Sequence, residues 1–430
     1  MSQSSSTSKK FKVMIAGAGL GGLVLAGALQ KYAPDTVEVA IFERDPHPTS
    51  RVQGYLIGIN KIGTAALKDA LSPEKFQRIQ TELFRVGTQF IITNKQLEHL
   101  MGLPAGATVN RVELRRVLME GLDITYNKRI QSYTEHEDGR VEVTFVDGTK
   151  DTGDFLVGAG RYQVDREEAE AAQTLSSSAA TYNKIDMLIP NVPKDDADEI
   201  FTNSSNDMMI VKIMGNKKNT AIIGRSNSLQ EAVNFGVKEV DIITRIVAQN
   251  DSSIGNNLVL ISYQYRPEGA LPEGRAAMLE VVRKGMEDWH PLLRKMVNEL
   301  ATPEHVMTDQ AHSYFQATPT QYPKVSRVTL LGDAAHAMTS HAGMGGNTAM
   351  KDGLDLAKAL IEVAKGGDLQ TLIGAYEKEM LRLGFKAVNI SRANSERMHA
   401  NDVGYIGEAI RNRFMKMFYK LVVWGVIKLE

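Results

Sequence analysis

The 430-residue sequence contains no cysteine. That absence excludes disulfides, thiolate nucleophiles and cysteine metal sites, and it makes a reducing, cytoplasmic setting the expected one. A large charge excess is also missing: 50 Lys and Arg stand against 51 Asp and Glu, leaving a formal net charge of -1. Such a balance gives no general attraction for nucleic acid or for an anionic membrane. Long apolar runs of about 18 residues are absent, so no transmembrane helix is expected. No solenoid-type repeat recurs along the chain. The expected partner is a small molecule, bound by a monomer or a homodimer.

What is present is a glycine-rich stretch near the start. Val13, Met14, Ile15 and Ala16 form a short apolar run that leads into Gly17-Ala18-Gly19-Leu20-Gly21-Gly22 and then an Ala/Leu-rich segment of helical periodicity. This is strand, tight turn and helix, the layout that binds a dinucleotide. Gly17 makes the turn, Gly19 clears the way to a pyrophosphate, and Gly22 allows close helix–strand packing. The pyrophosphate is expected on the free N–H groups of the helix that begins near Leu20. Residues 37–42 read as the next strand and end at Glu43, placed where an acid binds ribose hydroxyls. The glycines that interrupt this apolar run argue against a signal peptide. The serine-rich residues 1–10 are expected to be disordered.

Past Glu43, the prolines around Arg44 and His47 define a loop at the ligand end of the sheet. Arg51 is either a phosphate or flavin contact or a solvated loop arginine. Arg111, at the start of a helix predicted over 109–122, has the same two readings. Asp138-Gly139 and Asp147-Gly148 mark hairpins in a β-meander over 124–159. A connector is expected over 161–180. Strands are predicted at 88–93, 184–189, 208–214, 220–224 and 258–265, with helices at 237–249 and 275–298. Tyr263, Tyr265 and Arg225 are candidates to line the substrate side of this second sheet, and the methionines Met187, Met208, Met209 and Met214 read as core filling. The amphipathic C-terminal segment from residue 405 suits a helix packed on its own domain or a dimer contact better than one lying on a membrane.

A second glycine-rich turn stands near the far end. Residues 325–331 read as a strand ending at Gly332-Asp333, and Gly343-Met344-Gly345-Gly346-Asn347 opens a long helix. An Asp directly after a strand can bond a ribose or ribityl hydroxyl, and a helix N-terminus favours negative charge on a reduced flavin ring. Two such turns, far apart in sequence, grip the two ends of an extended cofactor. A nicotinamide enzyme does not need the second grip, whereas FAD does.

GAGLGG near the start, FER, RVQG, VNRVELRRVL and LLGDAAHAMTSHAGMGGNTAMKDGLDLAKAL together resemble the group A FAD-dependent monooxygenases of the p-hydroxybenzoate hydroxylase type. The resemblance implies an α/β fold: a Rossmann-like FAD-binding domain with a β-meander crossover, a mixed-sheet substrate domain and C-terminal helices. It places the FAD domain at 11–75, 101–180 and 320–365, the substrate domain at 76–100 and 181–319, and a helical region at 366–430. It implies non-covalent FAD held by Gly17, Gly19, Leu20, Gly22, Glu43, Arg44, Arg51, Arg111, Gly332, Asp333, Gly343, Gly345, Gly346 and Asn347. It also implies NADPH or NADH as co-substrate, O2, and transfer of one oxygen atom from a flavin C4a-hydroperoxide to an aromatic or unsaturated small molecule. No metal is called for.

Two positions depart from the family pattern. Gly160-Arg161 replaces an internal Asp-Gly tied to both FAD and NAD(P)H, with Arg166 one residue short of the family's arginine. Ser340 replaces a proline beside the flavin ring. A flavin oxidase or cyclase independent of NAD(P)H is the alternative that the first departure suits, and a non-catalytic flavin-fold carrier is a third reading. His47, His336 and His341 are candidate bases for a phenolic substrate, and each also reads as a structural histidine.

Overall fold

The computed structural model describes residues 9–48, 56–86, 89–104, 107–160, 182–201, 210–215, 218–226, 258–266, 269–308, 311–314, 316–318, 325–399 and 404–424. The readings of residues 1–8, Arg51, Arg161, Arg166, the connector at 161–180, Met208, Met209 and the helix at 237–249 lie outside those residues. The fold is mixed α/β.

Five parallel strands form the first sheet, in the order Val328–Leu330, Phe155–Gly158, Phe11–Ala16, Val37–Phe42 and Ile124–Thr125. Alternation along Phe11–Ala16 sends Val13 and Ile15 to one face and Met14 to the other. Val13 and Ile15 pack with the helix Leu20–Tyr32 and with Leu354, Leu356 and Leu360 of the long helix Gly345–Ala364. Met14 meets Val141, Val143 and Phe145 of an antiparallel meander. Both faces are therefore covered, which is why all four residues of Phe155–Gly158 are buried and apolar or small.

The second sheet has seven strands, in the order His312–Tyr314, Tyr182–Ile189, Leu258–Tyr265, Asn219–Ser226, Ile210–Met214, Gln89–Asn94 and His99–Pro104. Its strands pair antiparallel except Ile210–Met214 with Gln89–Asn94. One face packs on Met278, Leu279, Val282, Trp289 and Leu293. The single helix predicted over 275–298 is instead Arg275–Gly285, Pro291–Lys295 and Met296–Leu300. Pro291 lacks an N–H and begins its own helix, with His290 as the N-cap. Phe76 and Ile79, expected with the second unit, are buried in the first core.

The 30-residue helix Leu369–Met398 spans both regions. Ile373, Tyr376 and Met380 join the first core, and Phe385, Ala387 and Val388 pack against Met338 and Ala317. Gly404–Val423 lies on the edge strand His99–Pro104, with the Tyr419 ring 5.3 Å from that of His99. Among the described residues, no helix is long and apolar enough to cross a membrane.

Candidate cofactor and substrate site

The first glycine turn is dictated by space. Gly17 has φ of 121°, and a Cβ there would lie 2.9 Å from the Gly160 nitrogen. A Cβ on Gly22 would lie 2.3 Å from the Gly17 carbonyl oxygen. Gly19 is the N-cap of Leu20–Tyr32, and no side chain caps the first-turn amides. Those N–H groups and the positive end of the helix dipole are thereby left for an anion.

Glu43 is buried beside this turn. One carboxylate oxygen accepts from the Ala18 N–H at 3.0 Å and the other from the Asp45 N–H at 3.1 Å. Arg115 completes the corner: its Nε donates to the Ala18 carbonyl at 2.8 Å and its Nη1 to the Pro48 carbonyl at 2.9 Å. Its Nη2 lies 3.7 Å from Glu43, buried and without a hydrogen-bond partner among the described residues. Sequence reasoning singles out Arg111, which heads the helix Arg111–Met119, whereas the buried arginine is Arg115, one turn later. The signal was its place between Leu114 and Val117, on the flank of the apolar stripe. Arg44 lies 3.9 Å from Asp45, and His47 is exposed on the same loop.

At the second turn, Gly332 has φ of 59° and donates its N–H to Asp352 Oδ2 at 3.0 Å. The same oxygen sits 2.6 Å from His336 Nε2, which therefore carries the hydrogen. Burial pulls the His336 imidazole down, but the bond to Asp352 and the charges of Asp352 and Asp333 outweigh it and hold the group above 6.5. A Cβ on Gly384 would stand 2.3 Å from the His336 ring. His336 is thus a packed tie between the Gly332 turn and two helices, with its Nδ1 buried and without a hydrogen-bond partner among the described residues.

Asp333 heads the short helix Asp333–His336 and approaches Gly345, with Oδ1 3.9 Å from the point a Gly345 Cβ would occupy. The helix Gly345–Ala364 also starts with no side-chain cap and no acidic residue in its first turn. Gly343 has φ of 61° and open space beside it. Asn347 holds the turn in shape: its Oδ1 accepts from Asn60 N–H at 3.0 Å, and its Nδ2 donates to the Gly58 and Gly343 carbonyls at 2.9 and 3.0 Å.

The two turns meet. Leu20 Cδ1 lies 3.5 Å from where a Gly346 Cβ would be, and a Cβ on Gly21 would stand 2.7 Å from the Ala349 carbonyl oxygen. Two uncapped helix N-termini therefore stand side by side, with Glu43 and Arg115 at one end and Asp333 at the other. The free amides, the glycine cradle and the unpartnered Arg115 Nη2 fit an elongated, phosphate-bearing dinucleotide.

The seven-stranded sheet presents two unlike faces. Ile213, Ala221, Ile223, Ile261 and Tyr263 point to the helix-covered core. Tyr263 accepts from Asn219 Nδ2 at 3.0 Å, and burial pushes its hydroxyl up to about 12. Tyr265 shares that face and stacks on Tyr263 at 5.7 Å, and Arg225 pairs with Asp198 at 2.5 Å. These three candidates therefore line the packed side, because a period of two fixes the face by parity alone. The opposite face carries Lys212, Thr220, Ser262 and Gln264, all buried.

His341 stands over that polar face, in the turn between Asp333 and Gly345. Its ring meets the edge of Tyr182 at 4.9 Å, and its Nε2 lies 3.2 Å from His399 Nε2. Tyr182 stacks on His399 at 5.5 Å and comes within 3.4 Å of Ser340 Oγ. Sequence reasoning missed Lys212 and His399. Nothing local marks them, since each matters only through the turn it faces.

The family model for an FAD binding domain matches residues 285–391. The chain is 28% identical to the dual O-methyltransferase/FAD-dependent monooxygenase elcB of Phaeosphaeria nodorum, over 90% of this chain and 46% of that protein. It is 28% identical to the FAD-dependent monooxygenase thnD of Trichoderma harzianum, over 88% of this chain and 92% of that one. The chain thus spans less than half the length of the first curated relatives it matches. A crystal structure of a candidate FAD-containing monooxygenase from Photorhabdus luminescens superposes with a TM-score of 0.69 at 25% identity, covering 90% of this chain and 98% of that one.

Proposed function

We propose that this chain, which belongs to the group A FAD-dependent monooxygenases, inserts one oxygen atom from O2 into an aromatic or unsaturated small molecule, by hydroxylation or epoxidation. The observation that supports the reading is the junction of the two glycine turns through Leu20 and Gly346, which sets two uncapped helix N-termini side by side, as an elongated dinucleotide such as FAD would require.

Bound FAD, reduced by NADPH or NADH, supplies the activation of O2; one oxygen atom enters the product and the other leaves as water. The protein binds, orients and keeps the site dry. Glu43 and Arg115 hold the adenosine end, the helix amides after Gly19 hold the pyrophosphate, and Asp333 holds a sugar-chain hydroxyl. The amides opening Gly345–Ala364, uncapped by any side chain, would stabilise negative charge on a reduced ring. The polar face of the seven-stranded sheet closes the other side and limits water.

The test is a substrate screen under oxygen-18. NAD(P)H oxidation coupled to a product that has gained one labelled oxygen atom supports the reading. A yellow protein that neither NADPH nor NADH bleaches anaerobically, with or without candidate substrates, moves the assignment to an NAD(P)H-independent oxidase or cyclase.

A further inference from the structure

We infer that Lys212, His341 and His399 form a corner that binds an acidic hydroxyl of the substrate, a phenol or an enol: Lys212 holds it as its oxyanion, and His341, fixed by His399, accepts a hydrogen bond from a second donor on the same molecule. The inference rests on the oxygenase reading above, because the corner is given the role of holding that enzyme's substrate.

Strand alternation delivers the lysine. Val211 and Ile213 enter the core behind the sheet, so Lys212 between them projects from the polar face. It is 3% exposed, and its one hydrogen-bond partner among the described residues is the thioether of Met398, 2.8 Å from Nζ. A thioether is a weak acceptor. No carboxylate lies within ion-pair distance of Lys212 among the described residues. A buried ammonium so placed sheds its proton unless an anion arrives. Burial accordingly brings Lys212 down to about 7.

The histidines can be assigned tautomers from their partners. His399 Nδ1 lies 3.0 Å from the Lys218 carbonyl, so that nitrogen donates and His399 Nε2 is left as an acceptor. His341 Nε2, 3.2 Å away, must then carry the hydrogen of the His–His bond. The consequence falls on His341 Nδ1. It holds a bare lone pair and is buried with no partner among the described residues. Burial, with Lys212 and His399 adding to it, pushes His341 down to about 2; burial also brings His399 to about 4, against the bond to Lys218 and with the charges of Lys212 and Arg266. Both rings are neutral, and Tyr182 fixes them by edge and by stack.

The corner thus holds a poised amine and one unsatisfied imidazole nitrogen, with no carboxylate paired to either among the described residues. It lies against the turn that joins Asp333 to Gly345, next to the proposed flavin seat. An arriving hydroxyl gives its proton to the Lys212 amine: the O–H bond breaks, an N–H bond forms, and the oxyanion remains beside the ammonium. His341 Nδ1 accepts a hydrogen bond from a second donor on the substrate. An oxyanion raises electron density in the attached ring or enol, which favours attack on an electrophilic oxygen.

The probe is 4-nitrophenol, whose anion is yellow while its neutral form is not, titrated into purified protein whose FAD content is measured separately. The wild type is expected to lower the apparent pKa of the bound phenol by about one unit or more, a tenfold preference for the anion, and to bind it at least tenfold more tightly than its methyl ether. Lys212→Met should abolish that shift with FAD content unchanged, while Lys212→Arg should retain it. Equal binding of phenol and ether by the wild type, or an undiminished shift in Lys212→Met, overturns the inference; the ether comparison decides even where the variant does not fold. FAD-loaded protein without the preference refutes the corner and leaves the oxygenase reading standing, whereas protein that shows the preference but holds no FAD supports the corner and removes that reading.

Discussion

Gly353 and Gly21 touch backbone to backbone: a Cβ on Gly353 would stand 2.3 Å from the Gly21 carbonyl oxygen and 3.0 Å from the Leu25 nitrogen. The helices that follow the two glycine turns cross at this point, so the crossing sets the distance between the turns. Gly353→Ala should push the helices apart, at a cost of about 1–3 kcal/mol. A fall in FAD retained after desalting, together with a lower melting temperature, is the expected result; unchanged FAD content would show that the crossing does not set the seat.

The His336–Asp352 pair carries a pH signature. The folded-state pKa of His336 lies above 6.5. Its contribution is therefore fully present below that value and is lost as pH rises through the raised folded pKa, since the unfolded chain then releases its proton first. Urea unfolding from about pH 6 to about pH 9 should show stability falling with pH in the wild type. His336→Gln should flatten that part of the profile. Asp352→Asn removes one partner of a buried pair and should cost about 3–5 kcal/mol.

Arg115 joins the Ala18 and Pro48 carbonyls to Glu43 through one planar fork. Arg115→Met should weaken FAD binding more than tenfold, and Arg115→Lys should not restore it, because an ammonium cannot serve the three directions at once. Quenching of flavin fluorescence on binding measures both.

Asp333→Ala should lose FAD occupancy while the fold persists, because the Gly332 N–H and the His336 ring are anchored by Asp352 instead. Far-ultraviolet circular dichroism like that of the wild type, with no bound flavin, is the expected pair of observations. Full occupancy would contradict the placement of the ribityl end.

The parts of this site that depend on short-range geometry could be read from the chain. Gly17 must be glycine because φ is positive and Gly160 fills the space a side chain would need, and Glu43 follows from one strand and its spacing. Parity and long-range packing were not legible. Tyr263 and Gln264 differ by one position and face opposite sides of the sheet, and nothing in 258–265 tells which side the helices Arg275–Gly285 and Pro291–Lys295 cover. Arg115 looks like a solvated helix cation until the loop at Pro48 closes over it. The His399 tautomer depends on the carbonyl of Lys218, which only the fold brings near.

The most direct measurement is the flavin content of the purified chain. The protein is desalted and denatured, and the released chromophore is identified by its mass and its absorbance near ~450 nm. One FAD per chain is the expected result for a seat built from both glycine turns. A colourless protein that stays empty after incubation with excess FAD would contradict it.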